Sequence, residues 1–237
     1  VIRVFLVDDH PIVRHGLAQL LAAEPGLEIC GQADDAASAL DALVAAAPGV
    51  VTVDVSLGSS SGLDLIREIK QRLPRAAVLV VSMHDEQLYA ERSLRAGASG
   101  YVMKQEPTEV IVRAIRTVAA GGMFVTDEVS LRLLRLWAAS GTPRDGAPLD
   151  ALSNRELHVL ELIGQGLGTR AIAERLHISI KTVESYRARL KEKMNLRSGM
   201  ELMRFAIRRA ADPPERTTGE PRAPGEPRDS DEPDRGA

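Results

Sequence analysis

The 237-residue sequence predicts an α/β domain built on a five-stranded, doubly wound parallel sheet, followed by a small all-α domain of four helices. Three observations carry this prediction. From residue 2 to 121, short Val/Ile/Leu-rich runs alternate with helix-period segments, the pattern of strands buried on both faces between crossover helices. From 153 to 210 the helical periodicity continues with no strand-like run. A Gly/Pro/Ser-rich stretch, "SGTPRDGAP" (140–148), separates the two and reads as a linker. The length suits two small domains at about 100–200 residues each.

The strand-like runs are 2–7, 27–33, 50–54, 77–82 and 100–103, and helical segments lie near 11–23, 36–47, 62–73, 86–96 and 107–121. In 62–73, Leu63, Ile66, Ile69 and Leu73 recur at helical spacing. Pro107 suits the first turn of the last helix, and Gly121-Gly122 ends it. Residues 127–139, "DEVSLRLLRLWAA", read as one more helix. The second domain places helices near 153–166, 169–176, 180–194 and 198–209. Ser153 followed by Glu156 forms a capping box at the first, and Gly166 and Gly168 break between the first two. Residues 212–237 carry six prolines and no large apolar side chain, so this tail is expected to be disordered. The expected divisions are therefore 1–121, 122–150, 151–211 and 212–237.

The net charge of −3 hides a pattern. Residues 1–126 hold 11 Lys/Arg against 15 Asp/Glu, whereas 151–211 hold 12 against 6. A compact basic segment points to an anionic partner such as nucleic acid, although an ordinary charged helical surface gives the same count. Cys30 is the only cysteine, which excludes an intrachain disulfide, and it reads as a small core residue. The opening residues do not read as a signal peptide, and no apolar run approaches the ~18 residues of a membrane span. The chain is expected to be cytoplasmic, with no membrane partner.

In a doubly wound sheet, ligands gather beyond the carboxyl ends of the strands. The first run ends in Asp8-Asp9, the third in Asp54, the fourth in Ser82 and the fifth in Met103-Lys104. Three carboxylates brought together repel one another unless a cation sits among them. Hard oxygen donors with open positions suit Mg²⁺. Mg²⁺ beside an exposed carboxylate can draw in a phosphoryl group, whose remaining oxygens Ser82 and Lys104 could bind. Each residue alone is an unremarkable polar group; their joint placement at four strand ends is the signal.

The pieces "LVDDH", "VTVDVS", "VLVVSMHD" and "GASGYVMKQEP" resemble the receiver domain of two-component response regulators, over about residues 1–121. That resemblance implies a flavodoxin-like fold with Asp54 as phosphoacceptor. It implies Asp9 as direct Mg²⁺ ligand, Asp8 acting mainly through water, and the backbone carbonyl of Ser56 completing the metal site. It makes Ser82 and Lys104 the phosphoryl-binding pair, and Tyr101 the aromatic residue that turns inward when Ser82 moves toward the phosphate. Three positions depart from the family pattern: Gly58 stands where Pro is usual, Ser61 where Asp or Asn is usual, and Gln105 where Pro often follows the lysine. The first two are expected to loosen the loop after Asp54. His84, two residues after Ser82, lies where the family varies its dephosphorylation rate, so it is expected to influence the lifetime of phospho-Asp54.

In the second domain, a short helix at 169–176, a turn at 177–179 and a longer polar, basic helix describe a helix-turn-helix, or else a plain helical hairpin with a solvated face. The stretch 152–207 resembles the LuxR-type helix-turn-helix of NarL/FixJ response regulators. On that resemblance, Lys181, Thr182, Val183 and Glu184 reach base edges, with Val183 able to pack inside instead. Arg187, Lys191 and Thr169 or Arg170 hold phosphates. Residues 200–207 serve dimerisation. The whole chain then reads as a phosphorylation-switched transcription factor rather than an enzyme. Its partners would be a sensor histidine kinase, double-stranded DNA, a second copy of itself and RNA polymerase.

Other readings compete. Gly58-Ser59-Ser60-Ser61-Gly62 fits G-x-S-x-G, but a nucleophile elbow needs its serine at the strand end, and Ser60 lies six residues beyond Asp54. His84, His158 and His177 show no evident partner acid. An Asp-nucleophile phosphatase would want a second acid where Ser56 stands. A DNA-binding protein with a degenerate receiver is weakened by the intact Asp8, Asp9, Asp54, Ser82 and Lys104.

Overall fold

The computed structural model describes residues 1–58, 60–138, 149 and 151–211. The predicted linker 140–148 and the predicted disordered tail lie outside these residues. Five parallel strands, β1 (Ile2–Val7), β2 (Leu27–Ala33), β3 (Val50–Val53), β6 (Ala77–Ser82) and β7 (Gly100–Met103), form a sheet in the order β2-β1-β3-β6-β7. The crossovers are α1 (Pro11–Ala22), α2 (Ala36–Ala46), α3 (Gly62–Arg72), α4 (Glu86–Ala96) and α5 (Thr108–Ala119).

Strand alternation builds two cores. Val4 and Leu6 face one layer with Leu79, Val81, Ile111, Ile115 and Val118. Phe5 and Val7 face the other, with Leu43, Leu63, Ile66, Ile69 and Tyr89. Helix ends follow local chemistry. Pro11 opens α1, the Asp35 carboxylate accepts from Ala37 and Ser38 N–H to cap α2, and Gly97 closes α4 at φ 110°. Helix α6 (Asp127–Ala138) follows and leans on α4, where Gln87 donates to Glu128 at 2.8 Å and Thr126 to Glu86 at 3.0 Å.

The segment after Asp54 was expected to be a loose loop. It contains a small antiparallel hairpin instead, β4 (Ser56–Leu57) paired with β5 (Ser60–Ser61). The signal in sequence is weak because each strand is only two residues long and serine-rich.

The second domain contains α7 (Asn154–Gly164), α8 (Thr169–Arg175), α9 (Ile180–Lys193) and α10 (Gly199–Ala211). The predicted capping box at Ser153 and Glu156 is present at α7. Leu157, Leu160, Ile172, Val183, Leu190 and Leu202 make its core, which is continuous with one core of the first domain. Among the described residues, no helix is long and apolar enough to cross a membrane.

Candidate functional site

Because β1, β3, β6 and β7 are parallel, their carboxyl ends open on one edge, and the predicted pocket assembles there. Asp8 and Asp54 are buried. Lys104 Nζ bridges them, 2.6 Å from Asp8 Oδ2 and 2.7 Å from Asp54 Oδ2. Ser82 Oγ donates to Asp54 Oδ1 at 2.6 Å. Burial pulls the Lys104 pKa down, but Asp54 and Asp8 outweigh it and leave the ammonium above its ordinary value. Tyr101 is buried, its OH donating to the His84 carbonyl at 2.8 Å. Burial, and then the Asp54 charge, hold this phenol well above its usual range.

Asp9 completes the acidic set. Its Oδ2 accepts from the Gly58 N–H at 2.7 Å, while its buried Oδ1 has no hydrogen-bond partner. His10 Nδ1 sits only 2.8 Å from that Oδ1, a close approach that does not amount to a hydrogen bond. One donor atom from each of Asp8, Asp9, His10 and Asp54 lies within 4.8 Å of the others. A buried carboxylate oxygen left without a donor, among other hard oxygens, fits a small divalent cation. His10 was missed in the sequence, although its position directly after Asp8-Asp9 is the signal that could have found it.

Two glycines of the G-x-S-x-G match have structural reasons to be there. Gly58 has φ +55°, which proline cannot adopt, and it gives Asp9 an N–H that proline lacks. The departure expected to loosen this loop therefore ties it to the acidic pocket. At Gly62, a Cβ would lie 1.9 Å from the Asp54 carbonyl oxygen, so only glycine fits.

A second cluster joins the two domains, and sequence reasoning did not find it. Ser56 Oγ lies 2.7 Å from His84 Nε2 and 3.3 Å from His158 Nδ1. His84 Nδ1 meets Glu161 Oε2 at 2.8 Å, and Tyr89 OH donates to the same oxygen at 3.2 Å. Arg92 donates to the Leu149 and Leu152 carbonyls, each at 2.7 Å, and to Asn154 Oδ1 at 3.2 Å. Arg155 reaches the Gly58 carbonyl at 3.5 Å. Burial, with help from the charges of His84 and Arg155, pushes the His158 pKa down to about 3, so its ring is neutral near pH 7.

His84 thus has the partner acid that sequence reading did not see, Glu161. The chain Ser56–His84–Glu161 has the connectivity of a nucleophile triad, but His158 sits on the same hydroxyl. Ser60 has no part in it.

On the second domain, Ser179 caps α9 by accepting from Thr182 N–H. Lys181, Glu184 and Arg170 are exposed; Thr169, Thr182, Arg187 and Lys191 are half-buried. Val183 is fully buried beneath α9, which corrects its assignment to base contact: its branched side chain fills the domain core. The outward face of α9 is open to solvent while the two domains are in contact.

An acid, lysine and hydroxyl pocket on the edge of a doubly wound sheet, joined to a helix-turn-helix, defines a two-component response regulator with a DNA-binding output. Comparison with known proteins agrees. Residues 4–116 match the response regulator receiver domain, and residues 150–206 match the bacterial regulatory proteins, luxR family. The chain is 32% identical over 212 residues to the oxygen regulatory protein NreC of Staphylococcus carnosus, covering 87% of this chain and 97% of that one. It is similar to the RcsB response regulator of Salmonella typhimurium (25% identity, 87% of this chain and 97% of that one, TM-score 0.61). It is also similar to an RcsB–DNA complex (26% identity, 87% and 98%, TM-score 0.52). The chain belongs to the NarL/FixJ family of response regulators.

Proposed function

We propose that Asp54 accepts a phosphoryl group from a sensor histidine kinase and that this controls binding of α8 and α9 to double-stranded DNA. The observation that carries the proposal is the grip on Asp54: Ser82 on one oxygen and Lys104 on the other, with Asp8 and Asp9 alongside. In the transfer, an Asp54 oxygen forms the new bond to phosphorus while the phosphorus–nitrogen bond of a phosphohistidine breaks and the imidazole leaves. Lys104 and Ser82 then hold the phosphoryl oxygens. Asp8, Asp9, Asp54 and the Ser56 carbonyl would hold Mg²⁺, which when bound neutralises charge around the incoming group. The same pocket would assist the later hydrolysis, at a rate set partly by His84.

On the DNA, Lys181, Thr182 and Glu184 stand where base edges come within reach, and Thr169, Arg170, Arg187 and Lys191 where phosphates do. The likeness to a DNA-bound RcsB supports this use. Residues of α10 would pair two copies: Met200, Met203 and Ile207 are exposed apolar groups on that helix. The protein would act in the cytoplasm, with RNA polymerase as a further partner.

DNA affinity measured with and without a phosphodonor, for the wild type and Asp54→Ala, tests the proposal. The donor should tighten wild-type binding and leave the variant unchanged. Equal affinities throughout would refute phosphorylation control.

A further inference from the structure

The seam between the domains is built on the residues that flank the phosphoacceptor machinery. Ser56 follows Asp54 by two positions, and His84 follows Ser82 by two. Both direct their side chains at α7 rather than at solvent, Ser56 to His158 and His84 to Glu161. His84 is also held through its backbone. Its N–H donates to Ser82 Oγ at 3.4 Å, and its carbonyl accepts from Tyr101 OH at 2.8 Å. One residue therefore touches the hydroxyl that grips Asp54, the aromatic residue buried behind it, and the DNA-binding domain.

The state of these groups is informative. Ser82 is turned to Asp54, Tyr101 is fully buried, and α7 is docked, all at once. With the domains in contact, Lys181, Glu184 and Ser185 of α9 remain exposed. The receiver grips α7 and leaves the recognition face uncovered, so docking does not mask the DNA surface.

We infer that His84 and Glu161 couple the two domains with a positive sign: the inward arrangement of Ser82 and Tyr101 favours docking of α7, and docking favours that arrangement in return. This rests on the proposed phosphorylation of Asp54 and sets its structural consequence, tightening rather than release. A phosphoryl group at Asp54 holds Ser82 inward. Tyr101 then stays on the His84 carbonyl, and the His84 ring is fixed where Glu161 and Ser56 take it. Coupling between sites is reciprocal, so loss of the Glu161 contact also loosens the switch. His84 and Glu161 are positioning residues here; neither needs to touch the phosphoryl group.

The test uses the full chain with Cys30→Ser and fluorophores at Gln71→Cys and Glu192→Cys, diluted in unlabelled protein so that transfer is read within one molecule. Beryllofluoride with Mg²⁺ serves as the phosphoryl analogue, and its uptake at Asp54 is followed in parallel. The docked-to-undocked ratio should rise roughly tenfold, within the usual 5–150-fold range of such couplings. Glu161→Ala and His84→Ala should each lose most of that rise. Glu161→Gln, which keeps an acceptor oxygen, should retain part of it, a rescue that a merely space-filling role would not show. Uptake accompanied by domain separation, or a wild-type rise in both alanine variants, overturns the coupling alone. No uptake at Asp54 overturns the proposed phosphorylation and the coupling with it.

Discussion

The acidic pocket and the interdomain seam lie side by side, yet they are held together by different means. In the pocket, the position of every group follows from the sheet. Strands β1, β3, β6 and β7 are parallel, so whatever follows each of them arrives at the same edge. In the seam, Ser56, His84 and Arg92 meet α7 only because one folded unit rests on another. Topology brings the first set together; surface fit brings the second. The pocket should therefore resist change except at its own residues and the backbone beneath them, while the seam should weaken with any loss of fit.

The largest expected effect strikes the backbone under the pocket. Gly62→Ala places a methyl group 1.9 Å from the Asp54 carbonyl oxygen. It should cost about 3 kcal/mol of receiver stability and displace Asp54. Chemical denaturation together with phosphodonor uptake reads both, and a stable variant with normal uptake would show the backbone there to be pliant. Next, Lys104→Met removes the cation shared by Asp8 and Asp54. Phosphodonor uptake should slow by about 10²-fold, the scale of losing one preorganised charge partner.

Arg92→Ala probes the seam alone. It deletes donors to two carbonyls and one amide, so docking should weaken by about 2 kcal/mol, while uptake at Asp54 should fall by no more than the roughly tenfold that the reciprocal coupling allows. A fall in uptake of about 10²-fold, matching Lys104→Met, would erase the contrast between the two regions.

The smallest effect belongs to the second domain's own core. Glu156 is buried and accepts from Lys193 Nζ and Ser153 N–H, each at 2.7 Å. Burial alone would raise its pKa, but those bonds prevail and lower it. Its stabilisation is present above the ordinary glutamate range near 4.3 and is lost as pH falls through the lowered value. Glu156→Gln should therefore cost about 1 kcal/mol at pH 7, since Lys193 is partly solvated, and the gap should close in acid melts.

The same contrast explains what could be read from the sequence. Strand runs and helix periods fixed the sheet, and with it the meeting of Asp8, Asp54, Ser82 and Lys104. Val183 was ambiguous because position on a helix near its start does not tell which side faces inward until the neighbouring helices are placed. The hairpin at 56–61 was hidden by its brevity. Glu161, His158 and Arg92 read as ordinary polar residues of two separate helices, because contacts spanning 57 to 102 positions leave no local pattern. Gly58 looked like a weakness only while its φ and the bond from its N–H were unknown.

The open face of α9 carries a consequence for the choice of operator. The receiver holds the DNA-binding domain from behind, at α7, as a handle holds a tool. A handle does not hide the working edge; it aims it. Were two copies to bind adjacent half-sites, as proposed, their receivers would set the distance and rotation between two reading helices, which must match a repeat of about 34–36 Å along the duplex. Discrimination between operators would then lie in the spacing of half-sites as much as in their bases, and changes at Arg92 or Glu161 would shift the preferred spacing without altering a single base contact.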